Sequence, residues 1–246
     1  MQGDTGLVVD ATRKASKSLQ RDFFELENLQ SSEKNTTSFC QKSCGRAFQT
    51  LHESLNKYYK TVVFNSSEVA SADFTGHGVF VETLDGLSNF ERAMPYFGVM
   101  ATIVTKKDGE ITAERSIMNF PALGEIYYAE KGKGAWVEKL ASNITGASRT
   151  RVSGQGNMKD MVIAPSYDLL EDAQKISSNI RLFDSYAYSL SQLIRGKVDA
   201  IIMNKRDISA PGIDLFVKES GGACGIVGNN LVASNFKLHE KIKSLL

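Results

Sequence analysis

The chain has 246 residues, 42% of them hydrophobic, which suffices for one large domain or two closely packed halves around a true core. With 29 basic and 28 acidic residues the net charge is +1, which excludes a general electrostatic footprint for nucleic acid or an anionic membrane. No run approaches the ~20 apolar residues that span a bilayer, and no signal-peptide core opens the chain. The 3 cysteines, Cys40, Cys44 and Cys224, are too scattered for a disulfide framework, so the cytoplasm is the expected setting.

Leu7, Val8, Ala11, Ala15, Leu19, Phe23 and Leu26 recur at spacings near three and four, which predicts an amphipathic helix over 7–29 with a basic outer face. Residues 31–38 read as a polar break, and a second helix is expected over 44–59. Cys40 and Cys44, four apart, read as small residues of a packed face rather than a metal pair. A buried strand over 61–64 leads into Asn65-Ser-Ser-Glu68, and Gly76 and Gly78 punctuate the approach to the apolar run Val79-Phe-Val81. The β-branched and aromatic runs 98–105, 110–117 and 126–128 predict an antiparallel meander. Beyond it the pattern alternates: strand 161–164, helix 169–178, strand 180–183, helix 186–195, strand 198–203, then a helix ended by Gly221-Gly222. That alternation predicts an α/β layer packed beside the more antiparallel half, a single domain over 1–246 with sub-halves near 1–140 and 141–246.

Residues Glu82-Thr-Leu-Asp-Gly-Leu-Ser-Asn-Phe90 place two carboxylates three positions apart, after the apolar run and before a glycine. A strand ending in a tight turn can aim both carboxylates and the Leu84 carbonyl at hard cations, while the amides after Gly86 point at a phosphate. The nonapeptide closely resembles the Asp-Pro-Ile/Leu-Asp-Gly-Thr-Thr-Asn-Phe signature of the inositol monophosphatase family. Gly124-Glu-Ile-Tyr-Tyr-Ala-Glu-Lys-Gly-Lys-Gly-Ala135 is similar to the strand, glycine turn and strand that follow in that family, and Leu231-Val-Ala-Ser-Asn-Phe-Lys-Leu-His-Glu240 to its last strand and terminal helix. Ala11-Thr-Arg-Lys-Ala-Ser-Lys-Ser-Leu-Gln-Arg-Asp-Phe23 resembles its first helix, in the form of the bacterial members named as extragenic suppressor proteins. The resemblance implies a layered α-β-α-β-α sandwich with the metal site between the halves, a homodimer, and magnesium-dependent hydrolysis of a sugar-alcohol phosphate.

Carried over position by position, the motif ligands are Glu82, longer by one methylene than the family aspartate, and Asp85, with the Leu84 carbonyl between them. A gap-free alignment sets the early coordinating glutamate of the family on Ser67, and a slip of one residue sets it on Glu68. The third aspartate matches Asp207, with Ser209 and Asp214 as alternatives in register. Leu87 stands where the family threonine orients the attacking water, and Gly86, Leu87 and Ser88 lie at the implied phosphate position. Arg181-Leu-Phe-Asp-Ser-Tyr-Ala187 resembles the Arg-x-x-Gly-Ser-Ala-Ala substrate wall. It sets Asp184 for the glycine, keeps Ser185, and puts Tyr186 for an alanine, so a ring and a like charge enter a pocket for an anion. Met203 replaces a substrate-binding glutamate, Arg206 a tryptophan, and Cys44 an aspartate. His77 is a weaker candidate for a phosphate neighbour, whereas His52 and His239 read as ordinary helix residues.

Changes thus concentrate at ligand positions while the glycines and turns of the pattern are kept. This predicts a retained fold with weak or absent phosphatase activity, and a scaffold role through protein contact, as in relatives that associate with the transcription machinery and affect ribosomal RNA maturation. Two readings stay open beside it: an active magnesium-dependent phosphomonoesterase, and a site holding a looser cation such as calcium or manganese.

Overall fold

A computed structural model describes residues 3–29, 33–64, 73–140, 146–204 and 212–246. Helices α1 (Gly3–Leu29) and α2 (Glu33–Leu55) form the outermost layer. The stripe Ala11, Ala15, Leu19 and Leu26 of α1 is fully buried, as the spacing predicts. Asp22 sits fully buried on the same face, where Arg46 of α2 and its neighbour Arg21 hold it at 2.6 and 2.8 Å. Helix α2 begins well before the expected 44–59. Cys40, Ala47, Leu51 and Leu55 form one buried stripe that extends the helix upstream, and Thr37 and Ser38 on the solvent side do not interrupt it.

Beneath these helices lies a sheet of β1 (Val62–Val63), β2 (Gly76–Asp85), β3 (Gly98–Lys107), β4 (Glu110–Phe120), β5 (Glu125–Glu130), β6 (Gly134–Lys139) and β7 (Ala147–Arg149), in that spatial order. β1 runs parallel to β2, β3, β4 and β5 form the expected antiparallel meander, and β2, β6 and β7 extend it antiparallel. A second sheet contains β8 (Val162–Pro165), β9 (Asn179–Ile180), β10 (Ala200–Asn204), β11 (Gly222–Val227) and β12 (Asn230–Asn235), in the order β11-β12-β10-β8-β9. Between the sheets pack α5 (Tyr186–Ile194) and α6 (Gly212–Glu219), while α4 (Leu170–Ile176) and α7 (Phe236–Lys243) cover the far face of the second sheet. The layers therefore run α-β-α-β-α.

Both sheets are buried on both faces, and the strands show why. On β10, Ile201 and Met203 face the α5 and α6 layer, while Ala200 and Ile202 face α4 and α7. On β3, Val99, Ala101 and Ile103 face α1 and α2, whereas Met100 faces inward. Strand β11 was not apparent in the sequence, because Gly222, Gly225 and the half-exposed Ile226 of an edge strand give no apolar alternation. The expected strand 180–183 ends at Ile180, and residues 181–185 instead turn toward the mouth of a cleft.

Candidate active site

Residues three apart on a regular strand point to opposite faces, which would separate Glu82 from Asp85. The pairing of β2 with β3 slips between them: Glu82 lies opposite Met100, and Asp85 lies opposite Gly98. The extra residue on β2 is a bulge, a device that re-aims side chains. Because Met100 faces the inner layer, both carboxylates come to that face, and the Leu84 side chain goes the other way, onto the α1 and α2 core. Gly86 then turns the chain with φ 77° into the short helix α3 (Leu87–Glu91).

Asp85 is 6% exposed and meets the first turn of α5. It accepts hydrogen bonds from the Ser185 hydroxyl, from the Ala187 amide at 3.0 Å and from the Tyr186 amide at 3.3 Å. The Ser185 oxygen in turn accepts from the Tyr188 amide at 3.0 Å and so caps α5. Burial pushes the Asp85 carboxyl up to about 7, against the hydrogen bonds from Ser185 and Ala187 and with the charge of Glu82. Asn89 clamps the opposing loop to α3, donating to the carbonyls of Phe183 at 2.7 Å, Tyr96 at 3.0 Å and Asp184 at 3.2 Å. The Ser88 hydroxyl donates to the Asp184 carboxylate, and Leu87 presents its alkyl chain to solvent at 45% exposure.

A cleft of about 630 Å³ opens beside Asp85. Asp184, Ser185, Tyr186 and Met203, all named from the sequence, line it. So do Ser166, Tyr167 and Asp168, which the sequence reading missed. A signal for them exists: they form the polar turn after β8, beyond the carboxyl end of a strand parallel to β10, where open α/β sheets place ligands. Asp168 accepts from the Asn204 amide group at 3.1 Å.

Other candidates stand apart from the cleft. Asp214 pairs with Lys218 along α6 at 2.7 Å and lines no part of it. His77 lies at the opposite end of β2, opposite Thr105. Cys44 is half-buried on α2, its thiol pushed up by burial and then by Glu91. Ser67, Glu68, Arg206, Asp207 and Ser209 lie outside the described residues.

A hard cation takes oxygen donors, and Glu82, Asp85 and the Leu84 carbonyl are of that kind. However, both Asp85 oxygens already accept from α5, and among the described residues no group of three His, Cys, Asp or Glu is placed to hold an ion. The described residues do not by themselves fit a magnesium site.

The model of the inositol monophosphatase family matches residues 4–238. The chain belongs to that family. It is 29% identical to an inositol-1-monophosphatase of Caulobacter vibrioides, over 96% of this chain and 97% of the relative. It is also 23% identical to the Nus factor SuhB of Pasteurella multocida, over 88% of this chain and 82% of that protein. The crystal structure of the extragenic suppressor protein suhB from Bartonella henselae superposes with a TM-score of 0.76 at 23% identity, covering 100% of this chain and 99% of that one. The layered sandwich is thus the family fold.

Asp184 takes φ 51°, the left-handed backbone that glycine adopts freely, at the position where the family pattern has glycine. Asp184→Gly is expected to change stability by less than about 1 kcal/mol, because relief of that backbone offsets loss of the Ser88 hydrogen bond. Urea denaturation of the two proteins checks this.

Proposed function

We propose that this inositol monophosphatase-family protein keeps the fold with weak or no phosphatase activity, and acts through contact with another protein. The observation that carries the reading is the engagement of both Asp85 oxygens by the first turn of α5. A carboxylate whose two oxygens already accept three hydrogen bonds has fewer free lone pairs to offer a cation than a solvated one. Asp184 adds to this, since its carboxylate holds Ser88 at the position where the family signature implies a phosphate. The Leu87 side chain cannot hydrogen-bond a water, and loss of such an orienting group costs on the order of a hundredfold in rate. Eroded metal ligation, a scaffold role touching transcription as the name Nus factor suggests for one relative, and a homodimer belong to this reading.

The test is phosphate release from inositol 1-phosphate and a panel of sugar phosphates with magnesium, manganese or no metal, beside Asp85→Ala. The expected result is release no higher than in Asp85→Ala with any metal. A second reading, an active magnesium-dependent phosphomonoesterase, is favoured by the bulge that brings Glu82 and Asp85 to one face beside the cleft. Robust metal-dependent release that Asp85→Ala abolishes would establish that reading in place of the first.

A further inference from the structure

Helix α5 has a charged site at each end. Its first turn meets Asp85, and the residue that ends it, Arg195, borders a second cavity of about 540 Å³ beside β6 and β7. Nine helical residues separate the two ends by about 14 Å. Lys139, Ser148, Arg149, Thr150, Arg151 and Arg195 line this cavity, with no acidic residue among the described lining. The segment 141–145, outside the described residues, carries no charged side chain in its sequence.

The charges converge from separate elements. Lys139 on β6 and Arg195 after α5 both reach Glu125 of β5, at 3.1 and 3.0 Å, and Arg195 also donates to the Tyr127 hydroxyl at 3.1 Å. One carboxylate therefore anchors two cations and neutralises one. Arg151 is brought in by backbone packing: a Cβ at Gly196 would lie 3.5 Å from the Arg151 carbonyl oxygen and 3.1 Å from the Ser153 amide nitrogen. Arg151 is exposed and makes no ion pair with a described residue. Asp199, two residues past Lys197, is occupied elsewhere, accepting from the Ser153 hydroxyl and the Val162 amide. Glu138 points to the other face of β6 and pairs with Arg13 at 3.2 Å. The ammonium of Lys197 is pushed down by burial first and then by Arg195, with Glu125 opposing and Lys139 adding to the shift.

Cations at the C-terminus of a helix are favoured by its dipole, which accounts for Arg195 and Lys197. It does not account for Lys139 on β6 or for Arg151 beyond β7, which reach the same cavity from a different part of the sheet. Guanidinium groups suit planar, multidentate anion recognition, and the volume suits a small ligand rather than a polymer. We propose that this cavity is a binding site for a phosphate monoester, held by Lys139, Arg151 and Arg195 and separate from the cleft at Asp85.

The test is titration calorimetry of the full chain with inorganic phosphate and with glycerol phosphate, at fixed ionic strength and with EDTA present so that no metal recruits phosphate to the cleft. Saturable binding of both is expected. Arg151→Ala should weaken it about tenfold or more, as loss of a charge-assisted contact does. Lys139→Ala should weaken it as well, and Asp184→Gly should leave it unchanged. Melting curves without phosphate confirm that Arg151→Ala is folded, since that side chain pairs with no carboxylate among the described residues. Absence of saturable binding in the natural protein, binding indifferent to Arg151→Ala, or binding strengthened or weakened in Asp184→Gly would each overturn the proposal.

Discussion

Gly86→Ala is expected to lose roughly 2 to 5 kcal/mol of folding stability, the sum of a left-handed backbone penalty and an overpacking penalty. Gly86 takes φ 77°, and a Cβ there would lie 2.5 Å from the carbonyl oxygen of Tyr96 and 3.2 Å from the Cα of Phe97. Those are backbone atoms of the segment leading into β3, so no side chain can move aside. The same Cβ would press on the Ser185 Cβ at 3.2 Å, and Ser185 donates to Asp85. Strain therefore reaches the contact between Asp85 and the first turn of α5. Denaturation should show a midpoint lower by on the order of 10 °C. A loss below about 1 kcal/mol would mean that the turn relaxes and that the close approach of α3, β3 and α5 is not what requires glycine.

Much of the fold was legible because buried strands and helices carry their own periodicities. The stripe of α1, the meander from β3 to β5 and the alternation from β8 to β10 all appear in the sequence as spacing. The start of α2 was not legible, because residues on the solvent side of a helix are indistinguishable from a polar linker until the buried partners Cys40 and Ala47 are known. Strand β11 escaped for the opposite reason, its backbone pairing with β12 being independent of its glycine-rich side chains.

The candidate site divides the same way. The two motif carboxylates and the wall residues Asp184, Ser185 and Tyr186 were legible as residue types, and the structure brings Asp85 and that wall together. What they do to each other was not legible. That Asp85 accepts three hydrogen bonds from α5 follows from a contact between residues about one hundred positions apart. That Glu82 and Asp85 share a face follows from a bulge set by pairing with β3, and no local spacing encodes it. Asp184 in a glycine conformation joins both kinds of information: the backbone follows the family pattern, while the side chain closes a hydrogen bond to Ser88 that glycine could not make.

Asp22→Asn is expected to lose roughly 2 to 4 kcal/mol at neutral pH, since it removes the charge from a buried carboxylate tied to two guanidiniums. Asp22 is fully buried between α1 and α2. Burial alone would raise its carboxyl, but hydrogen bonds from Arg46, Arg21 and Ser43 outweigh that and hold it below the ordinary value of 3.8. A carboxyl lowered on folding binds its proton more weakly in the native than in the unfolded chain, so its stabilisation is fully present above 3.8 and is lost as pH falls through the lower folded value. The gap between the natural protein and Asp22→Asn should therefore stay constant across neutral and mildly acidic pH and close only below about pH 4. Urea denaturation at pH 7 and near pH 3 measures both. An equal gap at the two pH values would show that the aspartate contributes by shape and neutral hydrogen bonding, and that its ion pairs with Arg46 and Arg21 add nothing. Because the α1 and α2 layer packs on the same sheet that carries Glu82 and Asp85, this variant also tests whether the outer helices hold the strand bearing the motif. If they do, Asp22→Asn loosens β2 beside the cleft as well as the helix pair, and amide exchange in β2 rises together with exchange in α1.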